Sequence, residues 1–410
     1  MIHRRSLLQG AAAAALAATP LRPAAAAGEP IRIGHQCDLT GALASTGYWR
    51  RKTTDAAAKW VNENGGIAGR PVEIVTIDTE TKVDTGVLRL RQLIQDKQVD
   101  FVVGSQNGGV ALASNPLCLE FATLCLSLSR TDEVTGSGAN PYIFRLIVNT
   151  ALTSKAAGPW MVDTAGKSWT TLYADYVWGM ANRDSWHAEV AAKNGTVGAE
   201  VAMPVNTTDP LPYLSKLSHE AGAVFISVLG PDMPRVLPAL RQIGFASKTL
   251  VTVDSSFGNS DLLALRKQSE GVWGMDSLPW ELADKDTPNT RLFRTSIGVD
   301  EHGRETGTNR LCGFGDAWPC WSNLGLLKKT IEGSGWKTKA DTPALIRYAQ
   351  ANPDYAEGPL FPQGPLFVRP DDHQAFGDYF IMRIENGGYH VKHQLPKEAG
   401  MYPATAHVHI

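Results

Sequence analysis

The sequence predicts an α/β protein built as two doubly wound parallel-sheet lobes. Three observations carry this. β-branched apolar runs alternate with amphipathic segments, the alternation falls into two successive series, and the chain is too long for one core. Beyond a leader of 27 residues, 383 of the 410 remain, more than a single hydrophobic core usually supports. Strand–helix alternation with short turns calls for parallel strands covered by helices on both faces.

Residues 1–27 open with His3, Arg4 and Arg5, continue into a Leu/Ala run from Leu7 to Ala18, and end in small residues. The run is too short to cross a bilayer and has the order of an export signal, with cleavage expected near Ala25 to Ala27. Arg4-Arg5 ahead of Ser6-Leu7-Leu8 fits a twin-arginine signal, and a general secretory signal fits nearly as well. No Cys follows the cleavage region, so no lipid attachment is expected. IRIGHQC (31–37) then reads as a strand, 48–64 as a helix closed by Gly65-Gly66, and PVEIVTID (71–78) as a strand. The segment 83–96 reads as a helix with Val87, Leu90, Leu93 and Ile94 on one face. DFVVGS, TLCLSL and YIFRLI carry the first series to Ile147. The second series runs from SWTTLYAD (168–175) through a helix at 179–194, then AVFISVLG, TLVTVD, a helical SDLLALRKQ and GVWGMDSLP. After Pro279 come a loop-rich stretch, a helical segment at 316–334, and antiparallel strands around a Gly387-Gly388 turn.

At 43% apolar and 20% charged residues the chain is an ordinary globular protein, and a net charge of -2 argues against nucleic acid or an anionic membrane as partner. No apolar run after the leader is long enough for a transmembrane helix. Cys37, Cys118, Cys125, Cys312 and Cys320 are an odd set without a CxxC pair, expected to be mostly buried with at most two disulfides, their pairing open. Catalysis is not expected. FGNSDL (257–262) superficially resembles the serine block of GDSL-type hydrolases, but Asn stands for the Asp and no Asp-x-x-His partner follows. Nucleophile-elbow, Walker and dinucleotide fingerprints are absent from the sequence. His407 and His409 lack the further ligands of a metal site, and no cofactor is expected.

Four segments carry a family resemblance. They are IRIGHQCDLTGALASTG leading to AAAKWVNENGGIAGRPVEIVTIDTET; DFVVGSQNGGVALA followed by LCLSLSRTDEVTG; PYIFRL; and LYADYVWG. With these, the chain resembles periplasmic ligand-binding proteins of the leucine/isoleucine/valine-binding type, the soluble receptors of ABC importers, loosely over residues 31–400. The resemblance implies the type I periplasmic binding protein fold, a Venus-flytrap joined by crossover hinge strands. Lobe 1 is expected from 28–147 and 279–355, and lobe 2 from 148–278 and 356–410. The implied function is capture of a small amino acid or related carboxylate in the periplasm by lobe closure. Delivery would be to ABC permease subunits in the inner membrane, from a monomer without cofactor. A receptor for an aromatic or aliphatic organic acid lacking an ammonium group, or a ligand sensor of the same fold, is the alternative.

By that resemblance the ligand carboxylate would lie against the loop 105–109, with Gln106, Asn107 and Gly108, and against Ser129, Arg130 and Thr131. Asn107-Gly108 stands where the family usually has a Ser pair, and Arg130 where it usually has a small residue. A guanidinium in the cleft would grip a carboxylate with two prongs, or it would turn to solvent or pair with Asp132 or Glu133. Thr150 occupies the place of an Asp that often holds the ammonium group. Asp254, read as ending a strand, is the remaining acidic candidate, with Ser255 beside it. Tyr48 and Trp49 at the rim of the first loop, and Trp178 at a strand end, are candidate aromatic walls. The run Arg50-Arg51-Lys52 is expected to face solvent from the first helix.

Overall fold

A computed structural model of the chain describes residues 28–258, 260–279 and 286–410, with Asp254 and Ser255 described in backbone only. The export signal expected at 1–27 lies outside the described residues. The first sheet holds β1 (Ile31–Cys37), β2 (Val72–Asp78), β3 (Phe101–Val103), β4 (Cys125–Leu126) and β5 (Ile143–Phe144), all parallel in the order β2-β1-β3-β4-β5. β1 is buried on both faces, as the central position of a wound sheet requires. Its alternate residues serve different helices. On one face, Gln36 donates to the Gly86 carbonyl at 2.8 Å and to Ser114 Oγ at 3.1 Å. On the other, the Cys37 thiol donates to the Gly47 carbonyl at 3.4 Å. These partners lie on α1 (Ala44–Glu63), α2 (Val83–Arg91) and α3 (Gly108–Glu120).

The second sheet begins with β6 (Ser168–Ala174), β7 (Thr196–Met203), β8 (Ala223–Ser227), β9 (Thr249–Thr252) and β10 (Trp273–Asp276), parallel in the order β7-β6-β8-β9-β10. Its helices are α4 (Thr150–Ala165), α5 (Val177–Ala192), α6 (Leu211–Leu214), α7 (Met233–Leu240) and α8 (Asp254–Gly258). Then come α9 (Pro288–Ser296), α10 (Phe314–Ser334), which packs along α1, and α11 (Thr342–Ala351). A small antiparallel sheet of β11 (Asp354–Tyr355), β12 (Leu366–Val368) and β13 (Ala375–Phe376) leads back to the seven-stranded sheet. There β14 (Tyr379–Glu385) joins β10 antiparallel and β15 (Gly388–Leu395) closes the edge, before a last short helix, α12 (Lys397–Gly400). The predicted class, two wound α/β lobes with crossing strands between them, is the observed one. No helix among the described residues is long and apolar enough to cross a membrane.

The chain crosses between the sheets after β5, after β10 and between β13 and β14. Arg145, fully buried, ties the first crossing to the last: it donates to Gln374 Oε1, to the Ser129 and Thr131 carbonyls and to Thr135 Oγ1. A buried guanidinium is tolerable here because every direction of its donor fork meets an acceptor.

Several boundaries differ from expectation. The turn of the terminal hairpin is Asn386-Gly387, not Gly387-Gly388; both central residues take positive φ (54° and 75°), the twist a two-residue hairpin prefers. The segment 83–96 is regular only to Arg91, and its last turn widens so that Lys97 N–H reaches the Gln92 carbonyl at 3.0 Å. SDLLALRKQ forms tighter turns over Leu262–Gln268, interrupted at Arg266 with φ 50°. All five cysteines are buried thiols rather than disulfides.

Two buried histidines make stability depend on pH. His35 on β1 has neither ring nitrogen paired, and burial, then the charges of Arg50 and Arg51, pull its pKa down to about 3. His373 stacks on Phe144 at 3.8 Å, and burial brings it to about 4. Both stay neutral in the fold while the unfolded chain protonates them near pH ~6.5. Below that pH the unfolded state takes up protons that the folded state refuses, so stability falls with acidification down to the folded pKa values. The melting temperature is expected to drop between pH 7 and pH 5, and His35→Leu to remove roughly half of that drop, since two groups share it. Calorimetry across that range on both proteins is the check.

Candidate ligand-binding cleft

The loops that leave the carboxyl ends of β3 and β4 meet those that leave β6 and β8. Between them lies a narrow pocket, about 10 Å³ in volume, lined by Gln106, Arg130, Tyr176, Trp178 and Leu229. Open α/β sheets bind their ligands at such strand ends. Three of the five lining residues, Gln106, Arg130 and Trp178, are sequence candidates.

The first loop is built on a buried carboxylate. Asp38 accepts from the Thr79 hydroxyl, from Ser105 Oγ at 3.0 Å and from the Gln106 N–H at 3.0 Å. Asn107 caps α3, its side-chain oxygen accepting from Val110 N–H at 3.1 Å, so that oxygen serves the helix. A Cβ on Gly108 would sit 2.2 Å from Thr131 Oγ1, which is why the loop can press against the 129–131 segment only with glycine there. Ser129 Oγ accepts from Thr131 N–H at 3.3 Å. Gln106 Oε1 and Thr131 Oγ1 are buried and have no hydrogen-bond partner among the described residues. Gly108→Ala is expected to displace this loop, lowering the melting temperature and weakening ligand binding together; calorimetric titration beside a thermal melt measures both effects.

Arg130 neither faces solvent nor pairs with Asp132 or Glu133. It is 5% exposed and donates through Nε and Nη2 to Asp316 Oδ1 at 3.3 and 3.2 Å, and to the Gly315 carbonyl at 3.1 Å. Asp316 also receives Arg50 Nη2 at 2.7 Å, while Arg50 Nη1 donates to the Leu128 carbonyl at 2.7 Å. This corrects the expectation that Arg50-Arg51-Lys52 faces solvent. Arg51 does, beside Asp55, and Lys52 pairs with Glu305, but Arg50 is buried. It lies on the α1 stripe that includes Thr53, Thr54, Ala57 and Val61, and Asp316 makes its burial tolerable. Two guanidinium groups thus meet on one carboxylate oxygen beneath the pocket. Burial, then Asp316 and Asp38, push the Tyr176 phenol far above its usual pKa, so it stands as a neutral hydroxyl on the opposite wall.

Trp178 lies in the first turn of α5, not at a strand end, with its ring 5.8 Å from that of Tyr176. Thr150 opens α4 and commits its hydroxyl to Asp132, whose carboxylate also takes Ala151 N–H at 2.8 Å and Ser185 Oγ at 3.2 Å. Tyr48 and Trp49 lie on α1 at a different opening. Trp49 lines it with Ser45, Thr46, Pro231, Arg310 and Leu311, and Tyr48 donates to Glu305 at 2.5 Å under the Arg310 guanidinium. β9 ends at Thr252, so Asp254 opens α8 instead of closing the strand; the side chains of Asp254 and Ser255 lie outside the described residues. Sequence reading missed Arg50, Asp316, Tyr176 and Leu229. The α1 stripe was a usable signal for Arg50, and a single Asp in the otherwise uncharged start of α10 was one for Asp316.

This cleft between two wound lobes is that of a periplasmic binding protein, and a family profile of that description matches residues 30–389. The chain belongs to the periplasmic binding protein family. It is 22% identical over 390 residues to the Leu/Ile/Val-binding protein homolog 6 of Brucella suis, covering 92% of this chain and 94% of that one. A shorter match, 28% over 167 residues, reaches the chemotactic signal transduction system substrate-binding protein BasB of Halobacterium salinarum and spans 38% of this chain and 40% of that one. Among solved structures, a solute-binding protein of an ABC transporter from Rhodopseudomonas palustris, in complex with 3,4-dihydroxybenzoic acid, superposes with TM-score 0.77 at 18% identity, over 90% of this chain and 98% of that one. The branched-chain amino acid transporter substrate-binding protein LivJ of Streptococcus pneumoniae, in complex with isoleucine, gives 0.72 at 16% identity, over 90% and 99%.

Proposed function

We propose that the solute is a small organic acid, aromatic or aliphatic, held by its carboxylate in the Gln106–Arg130–Tyr176–Trp178–Leu229 pocket. The observation that carries this is the lining: none of the five lining residues is acidic, and one of them, Arg130, is a guanidinium. The guanidinium takes the acid, Gln106 and the Tyr176 hydroxyl take a polar substituent, and Trp178 with Leu229 packs the flat or branched body. A benzoate-binding and an isoleucine-binding protein share this fold, so the fold leaves both ligand classes open. In this reading lobe 1 comprises 28–147 and 279–355 and lobe 2 comprises 148–278 and 356–410. The packing of α10 on α1 and the pairing of β14 with β10 support that division. The protein is exported through its leader, works as a monomer, and hands its closed form to a membrane permease.

The test is a thermal-shift screen of refolded, ligand-stripped protein with benzoate and its hydroxylated forms, with 2-oxo acids, and with leucine, isoleucine and phenylalanine. A ligand at 100 times its dissociation constant adds about 2.7 kcal/mol. Shifts with the acids alone support the proposal. Shifts with the amino acids alone overturn it and point to an ammonium-binding group in the second lobe.

A further inference from the structure

We propose that Asp371, His407 and His409 form a divalent-metal site, with Zn2+ as its best-fitting ion, that fastens the end of the chain to the third crossover. The tail is docked before any metal is considered. Val408 is buried, its N–H donates to the Asp371 carbonyl at 2.7 Å, and its carbonyl accepts from Gln350 Nε2 at 3.0 Å. With Val408 turned inward, its two neighbours in an extended segment turn outward together. Both reach the same carboxylate: His407 Nδ1 lies 3.1 Å and His409 Nε2 3.8 Å from Asp371 Oδ1. Ligand atoms of all three residues lie within 4.8 Å of one another. Bond lengths of about 2.0–2.2 Å in a tetrahedron place ligand atoms about 3.3–3.6 Å apart, so small side-chain adjustments complete the geometry.

Two imidazoles and one carboxylate are the donor set of three-ligand zinc sites, which leave the fourth position to water, and imidazole nitrogens also suit Ni2+ and Cu2+. The residues are exposed enough for an ion to enter. The neighbouring groups are engaged elsewhere: Asp372 pairs with Arg369 at 2.8 Å, and His373 Nε2 meets Gln350 at 2.9 Å. The third ligand was invisible in the sequence because Asp371 precedes His407 by 36 residues. The fold supplies it, since the turn that carries Asp371 runs directly into Gln374, the residue that Arg145 holds.

The test is calorimetric titration of ZnCl2 into chelator-treated mature protein in a buffer that does not bind zinc. One ion per chain is expected, with a rise in melting temperature. His409→Ala and Asp371→Asn should each weaken binding at least about tenfold, since loss of even an outer-sphere partner costs about that much. Both variants should melt at the wild-type temperature without zinc, which separates lost ligation from lost folding. Absence of stoichiometric binding, or binding that survives the double variant His407→Ala/His409→Ala unchanged, overturns the proposal.

Discussion

Replacing Asp316 with Asn is expected to cost about 3–5 kcal/mol of folding stability, the penalty for stranding buried charge. The geometry explains the size. Arg50 at 2.7 Å and Arg130 at 3.2 Å both rest on one carboxylate oxygen, and the two guanidinium groups are 2% and 5% exposed. An amide keeps the shape and the acceptor oxygen but removes the only charge that these two cations share on α10. Against a typical total of about 5–15 kcal/mol, such a loss brings the protein near its threshold. Urea denaturation of the two proteins measures it. A difference under about 1 kcal/mol would mean that the two cations are held without the charge on Asp316.

Arg130→Ala should behave in the opposite way, with ligand affinity falling and folding nearly intact. Arg50 remains on Asp316, so that buried carboxylate keeps a cation. On the proposed reading the ligand loses its charged partner, and charge-assisted hydrogen bonds are worth roughly 1.5–3 kcal/mol, about ten- to hundredfold in Kd. Arg130→Lys should recover part of the affinity, because charge returns without the planar fork. Isothermal titration with whichever acid shifts the melting temperature decides it. Unchanged affinity in Arg130→Ala would leave Arg130 with a purely structural part in the cluster.

The fold was legible because strands and helices announce themselves through local periodicity, and because β8, AVFIS, is buried on both faces and reads as an apolar run. The site was half legible. Gln106, Arg130 and Trp178 stand beside motifs at the ends of recognisable strands, where short-range sequence order already fixes position. Asp316 could not be placed that way. It reaches Arg130 across 186 residues and Arg50 across 266, and no local pattern encodes such a contact. Arg50 shows a second limit: in a run of three basic residues, helical phase buries one and exposes another, and charge counting cannot tell which. Tyr176 was passed over because Trp178, two residues on, drew the aromatic reading to itself.

The carboxylate of Asp132 has a consequence for how the two sheets are joined. It takes the Thr150 hydroxyl and the Ala151 N–H at the start of α4, and the Ser185 hydroxyl on α5, so one side chain on the segment after β4 ties down two helices of the second sheet. Losing it would strand three groups at once, so a single substitution there loosens the join between the sheets rather than either sheet alone.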